Sequence, residues 1–219
     1  ISAGEEALDT LEEIFGQNFR KIRVIRLILL NPISKEESED KIYINYSLPI
    51  QVCFGKISGP GDLRDVVEIF KNANFEAKEI PSKEIKNLEY SKLFLNLIGI
   101  ACTSRGFPIN HGLKNSEIFK EEIETLREYI RVVQALGGNF LNLPRYPSVK
   151  FFTFLIKILP TDFLLFFKDY FAKLISEEKE GKLKDLDEIN YYNGAVVNLG
   201  KKAGISTPIN QKILGRVLK

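Results

Sequence analysis

At 219 residues the chain is long enough for one large domain or two small ones with a sizeable core. Its 44% apolar and 27% charged residues are those of an ordinary globular protein. Thirty-one basic residues stand against 29 acidic ones, scattered along predicted helices, so the formal net charge of +2 gives no electrostatic case for nucleic acid or a membrane as partner.

Residues 5–15 place Ala7, Leu8, Leu11, Ile14 and Phe15 at helical spacing, with Gly16 as a stop. Residues 22–30 read as a strand, apolar apart from Arg23 and Arg26. Residues 41–46 alternate, and 50–54 form a further short strand. Ser58-Gly59-Pro60-Gly61 is a turn, Asp62 caps a helix over 63–72, and 75–80 read as a strand. From Pro81 the pattern is helical. One long helix is expected over 85–104 and an amphipathic one over 115–136, ended by Gly137-Gly138. Two Phe-rich helices follow over 148–159 and 163–174, then a helix over 187–203 ended by Gly204. Thr207 then serves as N-cap and Pro208 as first residue of the last helix.

Lys157, Pro160, Asp162 and Lys168 interrupt the Phe-rich stretch, leaving no run of ~18 apolar residues to span a bilayer. Those helices close a monomer's core or form a homodimer interface; the pattern suits both. Cys53 and Cys102 lack CxxC spacing and sit in apolar runs, as reduced thiols of a cytoplasmic protein do. With His111 the single histidine, a His/Cys zinc site is not expected. The chain opens on Ile1 and holds no Met, and we expect residues missing from this sequence.

Two segments carry polar residues worth singling out. In Ser91–Gly106, Lys92 and Asn96 lie four residues apart and share a helix face among Leu93, Phe94, Leu95, Leu97, Ile98 and Ile100. Partial desolvation lowers a lysine's pKa towards values useful for proton transfer. Alternatively Lys92 snorkels to solvent and Asn96 ties two helices together. In 187–210, Glu188 falls in the first turn of its predicted helix, where the macrodipole favours a carboxylate. Gly194 within that helix suggests close approach of a backbone or ligand, or plain helix packing.

Together these segments resemble the C-terminal domain of the ketopantoate reductase family. The K-x-x-x-N element reads Lys92-Leu-Phe-Leu-Asn96. The closing signature reads Asp187-Glu188-Ile189-Asn190-Tyr191-Tyr192-Asn193-Gly194, then Gly204-Ile205-Ser206-Thr207-Pro208-Ile209-Asn210. Leu136-Gly137-Gly138 and Asn142-Leu143-Pro144 match between them, and residues 1–16 are similar to the helix after the family's Q-N-G element.

The resemblance implies α/β followed by all-α: residues 1–81 as the closing part of a Rossmann-type NADP-binding domain, and 82–219 as a helical substrate-binding domain of the 6-phosphogluconate-dehydrogenase C-terminal kind. No G-x-G-x-x-G occurs, so the phosphate-binding loop is expected before Ile1. The implied reaction is hydride transfer from NADPH to the C2 carbonyl of a 2-oxo acid, ketopantoate in pantothenate synthesis. Lys92 is the implied proton donor, and Asn96 and Asn110 bind substrate. Glu188 orients the substrate or Lys92 and reaches the cofactor ribose. Asn110 is equally an ordinary turn residue.

Three departures bear on the substrate. Ile100 stands where some members carry Asn, Asn190 replaces the Asp of E-I-D, and 181–187 is too short to contain the family's substrate-binding Ser. Another small 2-oxo acid is therefore the close alternative, and a non-catalytic helical dimerisation module the distant one.

Overall fold

Two groupings of elements emerge from the computed structural model, which describes residues 2–31, 33–38, 40–144, 146, 148–176 and 183–219. They are Gly4–Glu89 and Tyr90–Lys219.

The first begins with α1 (Ser2–Phe15) and a 3-10 turn over Gly16–Lys21, followed by β1 (Val24–Leu29). A hairpin of β2 (Ile33–Ser38) and β3 (Lys41–Tyr46) precedes β4 (Gln51–Ser58), α2 (Arg64–Asn72) and β5 (Glu76–Glu79). β4 is the middle strand, antiparallel to β1 with Leu29 opposite Val52, and parallel to β5 with Gln51 opposite Glu76. The parallel pair needs a crossover, which α2 supplies. Val52, Phe54, Leu63, Val67 and Ala77 form the core, and Phe70 meets the Phe54 ring edge-on at 4.8 Å. The two charges of the predicted 22–30 strand are paired: the Arg23 guanidinium, just before β1, grips both Asp65 oxygens, at 2.8 and 2.5 Å, and Arg26 within it lies 2.9 Å from Glu89. α2 starts one residue later than expected, with Leu63 as its N-cap, and Asp62 before it accepts the Arg64 N–H at 3.1 Å.

The hairpin departs from expectation. The polar run Ile-Ser-Lys-Glu-Glu-Ser has no strand signature, yet it pairs along its full length with β3 as a separate two-stranded sheet. Every β3 side chain is exposed, so its alternation marks no buried face.

The second grouping is helical. α3 (Ser82–Leu97) leads into it, followed by α4 (Ile100–Thr103), α5 (Ile109–Gly112), α6 (Ser116–Ala135) and α7 (Val149–Ile158). Then come α8 (Thr161–Leu164), a 3-10 turn over Leu165–Phe167, α9 (Lys168–Ser176), a 3-10 turn over Ile189–Tyr191, α10 (Asn193–Ala203) and α11 (Pro208–Val217). α6 is the axis, packing against α4, α7, α10 and α11. Asn115 caps it by accepting the Glu117 and Ile118 N–H groups at 2.9 and 3.2 Å. Its Phe119, Leu126, Tyr129 and Val133 join Phe94, Leu97, Phe171 and Val196 in one core.

Three carboxylates on α6 are buried, and each is satisfied. Glu121 meets Arg105 at 2.8 Å, Arg216 at 2.7 Å and Lys212 at 3.2 Å. Against the desolvation its burial imposes, those hydrogen bonds hold its carboxyl down at about 2. Glu128 accepts the Ile209 and Asn210 N–H groups at 2.9 and 3.0 Å, and the Asn210 amide at 2.8 Å. The third, Glu122, accepts the N–H groups of Gly99 at 2.5 Å and Ala101 at 3.1 Å.

Three local expectations are corrected. The helix expected over 85–104 is two, broken at Gly99, whose φ of +89° lies in the left-handed region. The helix expected over 187–203 is a 3-10 turn followed by α10, so Gly194 sits in a first turn and nothing comes nearer than 3.6 Å to where its Cβ would be. Thr207 and Pro208 do take the N-cap and first helical positions of α11, but the Thr207 side chain makes no capping bond; Glu128 caps the helix from a distance, because that buried carboxylate needs the same N–H groups.

Cys53 and Cys102 are both buried and unpaired, and burial pushes both thiols above their usual range. On α7 to α9 one face enters the core through Val149, Ile156, Leu164 and Phe171, while Phe151, Phe154, Phe163, Phe166 and Tyr170 are exposed. Among the described residues no helix is long and apolar enough to cross a membrane.

Candidate functional site

Lys92 and Asn96 project from one face of α3, one turn apart, and both are half-buried. Around the rest of the helix Leu93, Phe94 and Leu97 are in the core, so α3 is anchored on its apolar side. Lys92 Nζ donates to the Tyr146 hydroxyl oxygen at 3.1 Å and lies 5.0 Å from that ring's centroid. The ammonium is thus held over an aromatic surface. Asn96 contributes its backbone carbonyl, which accepts from Lys184 Nζ. Its side-chain amide makes no hydrogen bond among the described residues, which leaves it available to a ligand.

Glu188 is exposed and precedes the 3-10 turn; it does not occupy the first turn of an α-helix as the periodicity predicts. Its carboxylate accepts from the Tyr192 hydroxyl. Burial first, then the neighbouring Glu188 charge, raise the Tyr192 phenol above its usual range, so it remains a donor. Lys184 Nζ sits 5.3 Å from the Tyr192 ring centroid while donating to the carbonyls of Asn96 and Ile98. A continuous chain therefore runs from the C-terminal end of α3 through Lys184 and Tyr192 to Glu188. Of the four expected site residues, that chain links the Asn96 carbonyl with Glu188, while Lys92 lies one turn earlier on α3 and engages Tyr146. The Asn110 side chain accepts the His111 N–H at 2.9 Å, as a turn residue's does.

Ile100 is fully buried against Ala101, Ile189 and Ile213. Its apolar character is accounted for by packing, since an amide there would need partners that this cluster does not hold. Much of the closing signature is also architectural. Asn193 donates to Asn210 at 2.9 Å, and Asn210 donates in turn to the Thr125 carbonyl at 3.2 Å and to Glu128. Gly138 lets the chain cross Tyr90, whose ring would lie 2.5 Å from a Cβ there. Asn142 accepts from Ser148 and the Lys150 N–H at 3.0 and 3.1 Å, fixing the start of α7. Of the stretch searched for a substrate-binding Ser, Gly181 and Lys182 lie outside the described residues.

Tyr146, Lys184, Tyr192 and Glu122 are the neighbours the sequence reading missed. Only Tyr192 had a local signal, lying four residues after Glu188. Tyr146 and Lys184 are 54 and 88 residues from their α3 partners.

A mixed sheet followed by a helical bundle, with Lys92 and Asn96 on the bundle's first helix, gives the chain an α/β portion and a helical portion. The profile described as "Ketopantoate reductase PanE/ApbA C terminal" matches residues 84–219. The chain belongs to the ketopantoate reductase family, a family of NAD(P)-dependent oxidoreductases. Its fold is similar to that of a PanE/ApbA family ketopantoate reductase from Ralstonia eutropha JMP134, at 14% identity and a TM-score of 0.62 over 89% of this chain and 58% of that one. It is also similar to a D-mandelate dehydrogenase solved with NADH, at 18% identity and 0.58 over 96% and 65% of the two chains. A dimeric ketopantoate reductase from Staphylococcus aureus gives 16% identity and 0.57 over 89% and 61%. The chain thus spans about three-fifths of the length of these solved relatives. Comparison with curated proteins finds no match.

Proposed function

We propose that the protein containing this chain reduces the C2 carbonyl of a 2-oxo acid, ketopantoate being the leading substrate, with Lys92 as proton donor. The observation that carries this reading is the placement of Lys92, half-buried on a helix face shared with Asn96 and bonded to Tyr146 at 3.1 Å. Reduction of a ketone develops negative charge on its oxygen, which needs both a nearby cation and a proton. An ammonium supplies both. Asn96, with its amide unengaged, holds the substrate beside it, and Asn110 completes the substrate contacts. NADPH supplies the hydride when bound.

The cofactor's fit to these residues is one-sided. Glu188 has an exposed carboxylate with acceptor sites beyond its Tyr192 bond, suited to a ribose hydroxyl. No G-x-G-x-x-G is present, so residues 1–81 are read as the closing part of the nucleotide-binding domain and not as its phosphate cradle. The exposed Phe face of α7 to α9 supports a homodimer, the state named for the Staphylococcus aureus relative.

A second reading has its own observation. Ile100 stands where some family members carry Asn, and a D-mandelate dehydrogenase solved with NADH is similar in fold. Reduction of a 2-oxo acid with an apolar substituent, using NADH, follows from these. The test is oxidation of NADPH and NADH by the full-length protein with ketopantoate and with phenylglyoxylate. Lys92→Ala should lower kcat by about 10²-fold or more, the range of a lost general acid. Unchanged turnover in that variant removes Lys92 from the chemistry, and turnover of phenylglyoxylate alone selects the second reading.

A further inference from the structure

Two opposite charges hold the end of α3, and the proposed chemistry uses neither. The last carbonyls of a helix carry its partial negative charge, and Lys184 Nζ donates to two of them, Asn96 and Ile98, the latter at 3.3 Å. The chain then turns at Gly99. On its far side Glu122 accepts the Gly99 and Ala101 N–H groups at 2.5 and 3.1 Å, one on each carboxylate oxygen. The ammonium and the carboxylate thus sit on the two sides of one helix break, and each feels the other's charge.

The surroundings of Glu122 are mostly apolar. It borders an apolar cavity of about 40 Å³ lined by Phe94, Ile98, Leu126, Phe152 and Phe171 among others. The remaining titratable groups around it are Glu121 on its own helix and the Cys102 thiol of α4, which burial keeps protonated. At the other side Lys184 lies over the Tyr192 ring, and the Tyr192 hydroxyl holds Glu188.

We propose that Glu122 and Lys184 form a charged clasp across the α3–α4 break that positions Asn96 and, through Tyr192, Glu188 for the reduction. Both are positioning residues, and the proposal rests on the reductase reading above. Protonating Glu122 removes half of its acceptor capacity and its attraction for Lys184. The clasp therefore engages on the alkaline side of Glu122's titration and loosens on the acid side.

The experiment uses the full-length protein and two readouts: kcat and KM against pH with ketopantoate, and hydrogen exchange at the Gly99 and Ala101 amides. Glu122→Gln should lower kcat about tenfold, change KM less than kcat, and abolish a rising limb of kcat near neutral pH, with exchange at both amides about tenfold faster. Lys184→Met should lower kcat similarly, and Lys184→Arg should restore it. A folded Glu122→Gln enzyme with the wild-type pH profile overturns the proposal. So does a Lys184→Met enzyme as fast as wild type, which decides the matter if Glu122→Gln does not fold. If the wild type turns over no 2-oxo acid, the reductase reading falls. Amide exchange then judges the clasp alone, and wild-type protection in both Glu122→Gln and Lys184→Met overturns it.

Discussion

Glu122 makes stability depend on pH in an unusual direction. Its carboxyl is fully buried, and burial pushes it from 4.5 up to about 7, although the Gly99 and Ala101 N–H groups and the nearby Lys184 pull the other way. In the unfolded chain the proton leaves near 4.5, whereas the folded protein keeps it until about 7. Between those values the folded state binds more protons, so stability falls as pH rises and levels off above 7. At ~1.4 kcal/mol per pH unit the whole window is worth about 3 kcal/mol. Urea unfolding followed by far-ultraviolet circular dichroism at pH 4.5, 5.5, 6.5 and 7.5 should show that decline in the wild type. Glu122→Gln, which cannot titrate, should flatten it. The only histidine, His111, is exposed, so the decline is assigned to the carboxyl. A Glu122→Gln protein that retains the wild-type slope refutes the reasoning, as does a wild type that is flat.

Glu121 gives the opposite sign. Held at about 2 by its three cations, it contributes stability that is present above 4.5 and lost as pH falls towards 2, and Glu121→Gln should remove that acid limb from an acid-unfolding titration. Glu128→Ala leaves the Ile209 and Asn210 N–H groups and the Asn210 amide without their acceptor; at ~1–3 kcal/mol per buried orphan, a loss of about 3 kcal/mol or more is expected in urea unfolding at pH 7. Gly99→Ala combines a φ of +89° with a Cβ that would lie 2.4 Å from Ile109 Cδ1; it should cost about 2 kcal/mol or more by the same measurement, and a variant as stable as wild type would show that the break is not constrained.

The residues of the closing signature show how a motif can be legible while its role is not. Asn193 and Asn210 stand out in sequence as polar residues in an apolar context, and such residues point equally to a site or to a buried network. Their hydrogen bonds to each other, to Thr125 and to Glu128 assign them to the network. Lys92 and Asn96 carry the same ambiguity: both are half-buried, and among the described residues the Asn96 amide makes no hydrogen bond. No spacing rule separates these cases, because what separates them is how much water each side chain retains.

Local pattern by itself determined the α/β-then-helical order, the strands of the first part apart from β2, the amphipathic α6, and the K-x-x-x-N face of α3. Those features arise from contacts within a few residues, which periodicity and capping chemistry report directly. Tertiary structure alone decided where α3 stops, how α11 is capped and what satisfies the last carbonyls of α3. Each depends on a charge brought in from far along the chain: Glu122 reaches Gly99 across 23 residues, Glu128 reaches Ile209 across 81, and Lys184 reaches Asn96 across 88. A helix end exposes backbone groups that something must satisfy. Sequence names the groups in need, but only the fold chooses the side chain that answers them.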